Sequence, residues 1–266
     1  MEQTPLTQEP QAGAPQSPAM SLGGRLLNVF ATPGDVFQEV KTAQVVTTNW
    51  LVPALIFILV SWVGAWLALS QDPIKHQLSE MTDQAIQKQA EKTHMSEQQA
   101  EKVREAAAKW GTISRSIGAG LVPVLVALSS PFLWGLFLWL VGNKVLKGNF
   151  SYMKAVEVVG LANMVTVLDA IVTALLRVGL SNYFASPSLV LLVKEFDPQN
   201  TGHALLAIVN VMTFWLLAVR AIALARISGA SFAKAALWVF GIWAAYTGLF
   251  IGLGLLMQAA SKRIGG

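Results

Sequence analysis

The chain has 266 residues, 54% of them hydrophobic and only 13% charged, where soluble domains carry about a quarter charged residues. The apolar residues come in long blocks, which points to lipid as the solvent. A net charge of +4, with Lys144, Lys147 and Lys154 as the nearest basic cluster, excludes a nucleic-acid surface, and the lack of cysteine excludes disulfides, thiolate metal sites and a cysteine nucleophile.

Met1–Met20 is rich in Pro, Gln, Ala and Thr and reads as a disordered tail. It has neither the basic start nor the apolar stretch of a secretory signal peptide. Residues 21–48 read as amphipathic interfacial helices. Ser21–Phe30 sets Leu22, Leu26, Leu27, Val29 and Phe30 around Arg25. In Thr32-Pro33-Gly34-Asp35, Thr is a capping residue, Pro suits the first helical position and Asp suits the positive end of the helix dipole. The helix that follows, with Val36, Phe37 and Val40 on one face, is expected either to lie on the membrane or to pack on the bundle's own loops.

Five apolar spans follow, at about 49–70, 117–141, 155–176, 204–226 and 235–257. The first opens at Trp50, which suits the interfacial aromatic belt. Residues 71–115 form a polar insertion in which Ile74, Leu78, Met81, Ala85 and Ile86, then Ala100, Val103, Ala107 and Trp110, recur at helical spacing. Ser96-Glu97-Gln98-Gln99 matches a capping box between the two runs. The expectation is a helical hairpin outside the membrane, either solvated or serving as a docking surface. The second span holds Pro123 and Pro131, whose freed carbonyls neighbours would have to satisfy. Ser188–Val193 is too short to cross and reads as an interfacial or re-entrant piece. Residues 258–266 form a short C-terminal tail. The class is all-α, a polytopic membrane protein.

The third and fourth spans carry polar residues at depth. Counting 1.5 Å per residue, Asn163 lies about 12 Å and Asp169 about 21 Å from the Ala155 end. Arg220, Thr213 and Asn210 lie about 9, 20 and 24 Å from Arg226 on the antiparallel fourth span. Two polar layers follow: Asp169 level with Asn210 and Thr213, and Asn163 level with Arg220. An Asp169–Arg220 ion pair is disfavoured by the difference in depth, and Arg220 is expected to snorkel toward the nearer surface. Asp169 is either a proton or ion site or a structural carboxyl hydrogen-bonded to Asn210 or Thr213. In the fifth span Gly241, Ala244, Ala245, Gly248 and Gly252 give a small-residue face for packing within the bundle or for a homo-oligomer. His76, His94 and His203 are scattered, no phosphate loop or nucleophile elbow is present, and no cofactor, metal or enzymatic role is expected.

The pattern resembles the Yip-domain family of Ypt/Rab-interacting membrane proteins, in its bacterial form. The resemblance runs from about Thr32 to Met257. It rests on TPGDVFQEV followed by Trp50, on the loop GNKVLKGNFSYMKAVEVVGLANM entering the third span, and on NVMTFWLLAVRAIALARISGASFAKAALWVFGIW. The family's proline in the third span has no counterpart in GLANM. Membership implies five spans with a cytosolic N-terminus, here in a bacterial inner membrane. Counting Lys and Arg does not decide orientation by itself, because the long hairpin offsets the basic short loops. The expected function is non-enzymatic: protein or lipid interaction in membrane organisation or a trafficking-like process, with membrane lipids and a membrane or peripheral protein as partners. A small transporter or channel subunit using Asp169 is the alternative.

Overall fold

A computed structural model describes residues 20–198 and 200–264. The tail expected to be disordered, Met1–Met20, falls outside the described residues except for Met20. The described residues form ten α-helices: α1 (Leu22–Ala31), α2 (Pro33–Thr42), α3 (Thr48–Ser70), α4 (Asp72–Thr93), α5 (Glu97–Leu140), α6 (Tyr152–Ala162), α7 (Met164–Gly179), α8 (Thr201–Ile208), α9 (Val211–Ser228) and α10 (Phe232–Ile264). Five stretches are long and apolar enough to cross a membrane: Thr48–Ser70, Glu97–Val145, Tyr152–Gly179, Val211–Ser228 and Phe232–Met257. The protein is an all-α, multi-pass membrane protein.

Local chemistry sets the helix starts. The Ser21 hydroxyl accepts from the Gly24 N–H at 3.1 Å and caps α1. Pro33 and Asp35 occupy the first turn of α2, but Thr32 makes no side-chain cap; its own N–H bonds Asn28 and closes α1 instead. Val29, Val36, Phe37 and Val40 are wholly buried, and α2 packs on α9 and α6, so these two helices lean on the bundle itself. Trp50 also points inward. Its half-buried ring meets Phe132 edge-on at 5.0 Å.

Several span boundaries differ from those the sequence predicts. The second span and the second arm of the hairpin are one 44-residue helix, α5, about 66 Å long. Both halves of the Ser96/Gln99 capping box are made, at 3.3 and 3.0 Å. Nothing after that stops the helix: Pro123 and Pro131 are carried inside it. The hairpin is therefore α4 plus the extension of a membrane helix. The third span begins three residues early, at Tyr152, because Ser151 caps it. It is also broken at Asn163, which ends α6 and starts α7, so the interruption occurs without a proline.

The fourth span is shorter than the predicted 204–226. Asn210 takes an extended backbone, and its side-chain oxygen accepts from the N–H groups of Met212 and Thr213 at 2.8 and 3.3 Å. A residue that caps α9 cannot also lie inside it, so α8 stands apart. Pro187 and Leu189 bond the backbone of Val211 and Val209 across this break, which fixes Ser188–Val193 as a tucked turn. Gly229, at φ 77°, ends α9 in the left-handed conformation. Helix α10 runs on through the expected C-terminal tail to Ile264.

The bundle is centred on α6, which is buried from Lys154 through Ala162. It packs against α3, α5 and α9. Gly160 decides how close α3 comes: a Cβ there would overlap Trp50 and stand 3.0 Å from the Asn49 carbonyl oxygen.

Candidate functional site

Three polar levels lie along α6 and α7, at Glu157, Asn163 and Asp169, six residues or about 9 Å apart. The first is the most complete. Glu157 is 0% exposed. Its Oε2 accepts from Lys154 Nζ at 2.7 Å, and its Oε1 accepts from Asn49 Nδ2 at 2.6 Å and from the Val46 N–H at 3.2 Å. Lys154 Nζ also donates to the Val40 and Ala43 carbonyls, at 2.8 and 3.0 Å, which uses all three of its protons. Asn49 Oδ1 accepts from Arg25 at 3.5 Å, and Arg25 pairs with Glu39 at 2.8 Å. One connected network thus ties α1, α2 and the loop before α3 to the centre of the bundle. Lys154 reads from sequence as a loop lysine and Glu157 draws no attention at all. The available signal is the i, i+3 spacing of lysine and acid at the start of an apolar helix.

At the second level the structure brings Asn163 and Arg220 together: Arg220 Nη2 donates to Asn163 Oδ1 at 2.8 Å. Arg220 does not snorkel. It is only 4% exposed, and its guanidinium carbon lies 4.3 Å from the centroid of the Trp134 ring. A planar, weakly hydrated cation is well suited to such a stacked, singly bonded position.

At the third level Asn210 and Thr173 face the Asp169 carboxyl, and Arg177 lies near enough to act on it. Asp169 Oδ1 is buried with no hydrogen-bond partner among the described residues. Thr213 is not its partner. Thr213 offers its backbone N–H to the Asn210 cap, and Thr173, one turn beyond Asp169 on α7, takes the expected place. Asp169 opens onto a cleft of about 560 Å³ between α3, α5 and α7. Arg115, Arg177 and Tyr183 also line it.

A second cleft, of about 800 Å³, lies between the start of α2 and the end of α9, lined by Pro33, Gly34, Asp35, Lys41 and Arg226 among others. Here a Cβ on Gly34 would stand 3.0 Å from the Arg226 guanidinium. The small-residue face of α10 has no partner among the described residues. Gly241, Gly248 and Gly252 meet nothing within 4 Å, and Ala244 and Ala245 are exposed. The reason is rotational: α10 turns its other face, with Ala235, Val239 and Trp243, toward α9.

The family model for the Yip1 domain matches residues 27–254, from α1 to near the end of α10. The chain belongs to the Yip1-domain family. Comparison with curated proteins and with solved structures returned no match. The matched residues include Glu39, Asn49, Lys154 and Glu157 of the network, but not Arg25, and take in four membrane-crossing stretches, most of the fifth and both clefts.

Proposed function

We propose that this Yip1-domain protein is a non-catalytic component of the bacterial cytoplasmic membrane, with its N-terminus in the cytosol. It holds a protein partner in membrane organisation or a trafficking-like process, among membrane lipids and, along α10, a second copy of itself. The supporting observation is the buried Glu39–Arg25–Asn49–Glu157–Lys154 network, which makes α1 and α2 a rigid platform on one face of the bundle. The cleft beside Gly34 and Arg226 opens on that platform and offers both charge signs to a partner. Affinity purification of tagged full-length protein tests the reading. Arg226→Glu is expected to release the captured partner, and trimming the α4–α5 hairpin is expected to keep it. The opposite result would move the docking surface to the hairpin.

A transporter or channel subunit using Asp169 is the second reading, because the cleft beside α7 reaches that carboxyl. Arg220, held on the next polar level, weighs against cation passage. Proton flux into liposomes that disappears in Asp169→Asn would favour transport.

A further inference from the structure

We propose that the cleft between α3, α5 and α7 is a lateral binding slot for one anionic membrane phospholipid, the headgroup phosphate held by Arg115 and Arg177 and one acyl chain lying in the slot. The inference goes beyond the protein-docking reading and stands without it.

Charge comes first. Arg115 and Arg177 both line the cleft, and neither has an acid within ion-pair distance among the described residues. Arg177 stacks on Tyr183, its guanidinium carbon 5.0 Å from the ring centroid, and its Nε is buried with no partner. The Tyr183 N–H is in turn held by Gln77 of α4 at 2.9 Å, so the rim is tied to the hairpin. Two guanidinium groups with free donors suit a phosphate, which accepts bidentate, charge-assisted hydrogen bonds. Asp169, the only acid lining the cleft among the described residues, is set about 12 Å back along α7 from Arg177, and its charge still reaches that guanidinium. The mouth is therefore cationic and the acid lies at the deep end.

Depth then selects a lipid over a free anion. Arg177 lies near the end of α7 and Arg115 just before the apolar part of α5, so the mouth sits at the membrane surface on the hairpin side. From there the lining extends along α7 to Thr166 and along α3 from Leu69 to Phe57, about 17 and 18 Å of helix. One leaflet's hydrocarbon is about 15 Å deep. Small residues line the walls: Gly64 lets α3 close against Ala174 of α7, where a Cβ would stand 2.9 Å away, and Ala119 keeps the α5 wall low. A site for soluble phosphate needs only the mouth; a leaflet-deep slot fits a chain.

Native mass spectrometry of the purified full chain, loaded with phosphatidylglycerol or phosphatidylcholine, tests this. One phosphatidylglycerol is expected to be retained about ten-fold better than phosphatidylcholine, as charge-assisted contacts predict. Arg115→Gln with Arg177→Gln is expected to abolish that preference. Ala119→Leu, which keeps both arginines and fills the slot, is expected to lose the lipid too, and it decides the matter if the double variant fails to fold. Equal retention of the two lipids, retention unchanged in Ala119→Leu, or displacement of phosphatidylglycerol by inorganic phosphate would each overturn the proposal. No protein partner is present in this measurement, so its outcome is separate from that of the affinity purification.

Discussion

Glu157 is a carboxylate with no solvent exposure, and it persists because every part of it is used. Two N–H groups and one ammonium reach its oxygens, while the ammonium finds two further carbonyls. Breaking one side of such a buried pair costs about 3–5 kcal/mol, because the surviving charge is left unpaired. Glu157→Gln is therefore expected to destabilise the detergent-solubilised protein by about 3 kcal/mol, read as a lower midpoint of thermal unfolding. Lys154→Met combined with Glu157→Leu is expected to cost clearly less than the sum of the single changes, since the pair leaves together. Additive losses would show that the two charges do not act as a unit. Asn163 and Arg220 follow the same logic at lower strength, with one short hydrogen bond and one ring.

Among the helices, α6 controls the arrangement because it is the one that others approach closely. Gly160 lies one turn beyond Glu157, and its missing side chain is where Trp50 and the Asn49 backbone sit. The same close approach sets Asn49 against the carboxylate. Gly160→Ala is expected to push α3 away and cost about 1–3 kcal/mol, the range for overpacking a filled core. Gly248→Ala serves as the comparison. Open space surrounds Gly248, and alanine favours helix over glycine by up to about 1 kcal/mol, so stability should hold or rise. Equal effects at the two positions, in the same unfolding assay, would contradict the close α3–α6 contact. The uneven helix ends have local causes as well. The capping oxygens of Ser96, Ser151 and Asn210 place three starts, and no cap or break separates the hairpin arm from the second span.

For the whole molecule, the single crossing of α3 puts the platform of α1 and α2 on the side opposite the α4–α5 hairpin. The chain has no cysteine, so single cysteines introduced at Gly23, Ser231 and Glu91 report sidedness cleanly. In intact cells an impermeant thiol reagent is expected to label the Glu91 position and spare the other two. Labelling at Gly23 and Ser231 with protection at Glu91 would invert the proposed orientation. The asymmetry also explains the charge count. The basic short loops gather on the platform side, while several of the hairpin's lysines and arginines lie far from a span and count for less.

Hydropathy and periodicity were enough to read five membrane-crossing stretches and the helical character of the hairpin, because lipid demands long apolar helices whatever their neighbours. The depths of Asn163 and Arg220 were also legible, since helical rise is a property of the chain alone. Which side chains meet was not. Glu157 and Asn49 are 108 positions apart, and only the approach of α3 to Gly160 makes them partners. Arg220 turned inward because Trp134 and Asn163 offered it a seat, and the small face of α10 was left bare because another face met α9. The rotation of each helix about its own axis is set by packing, and a sequence pattern that is apolar nearly all round cannot specify it.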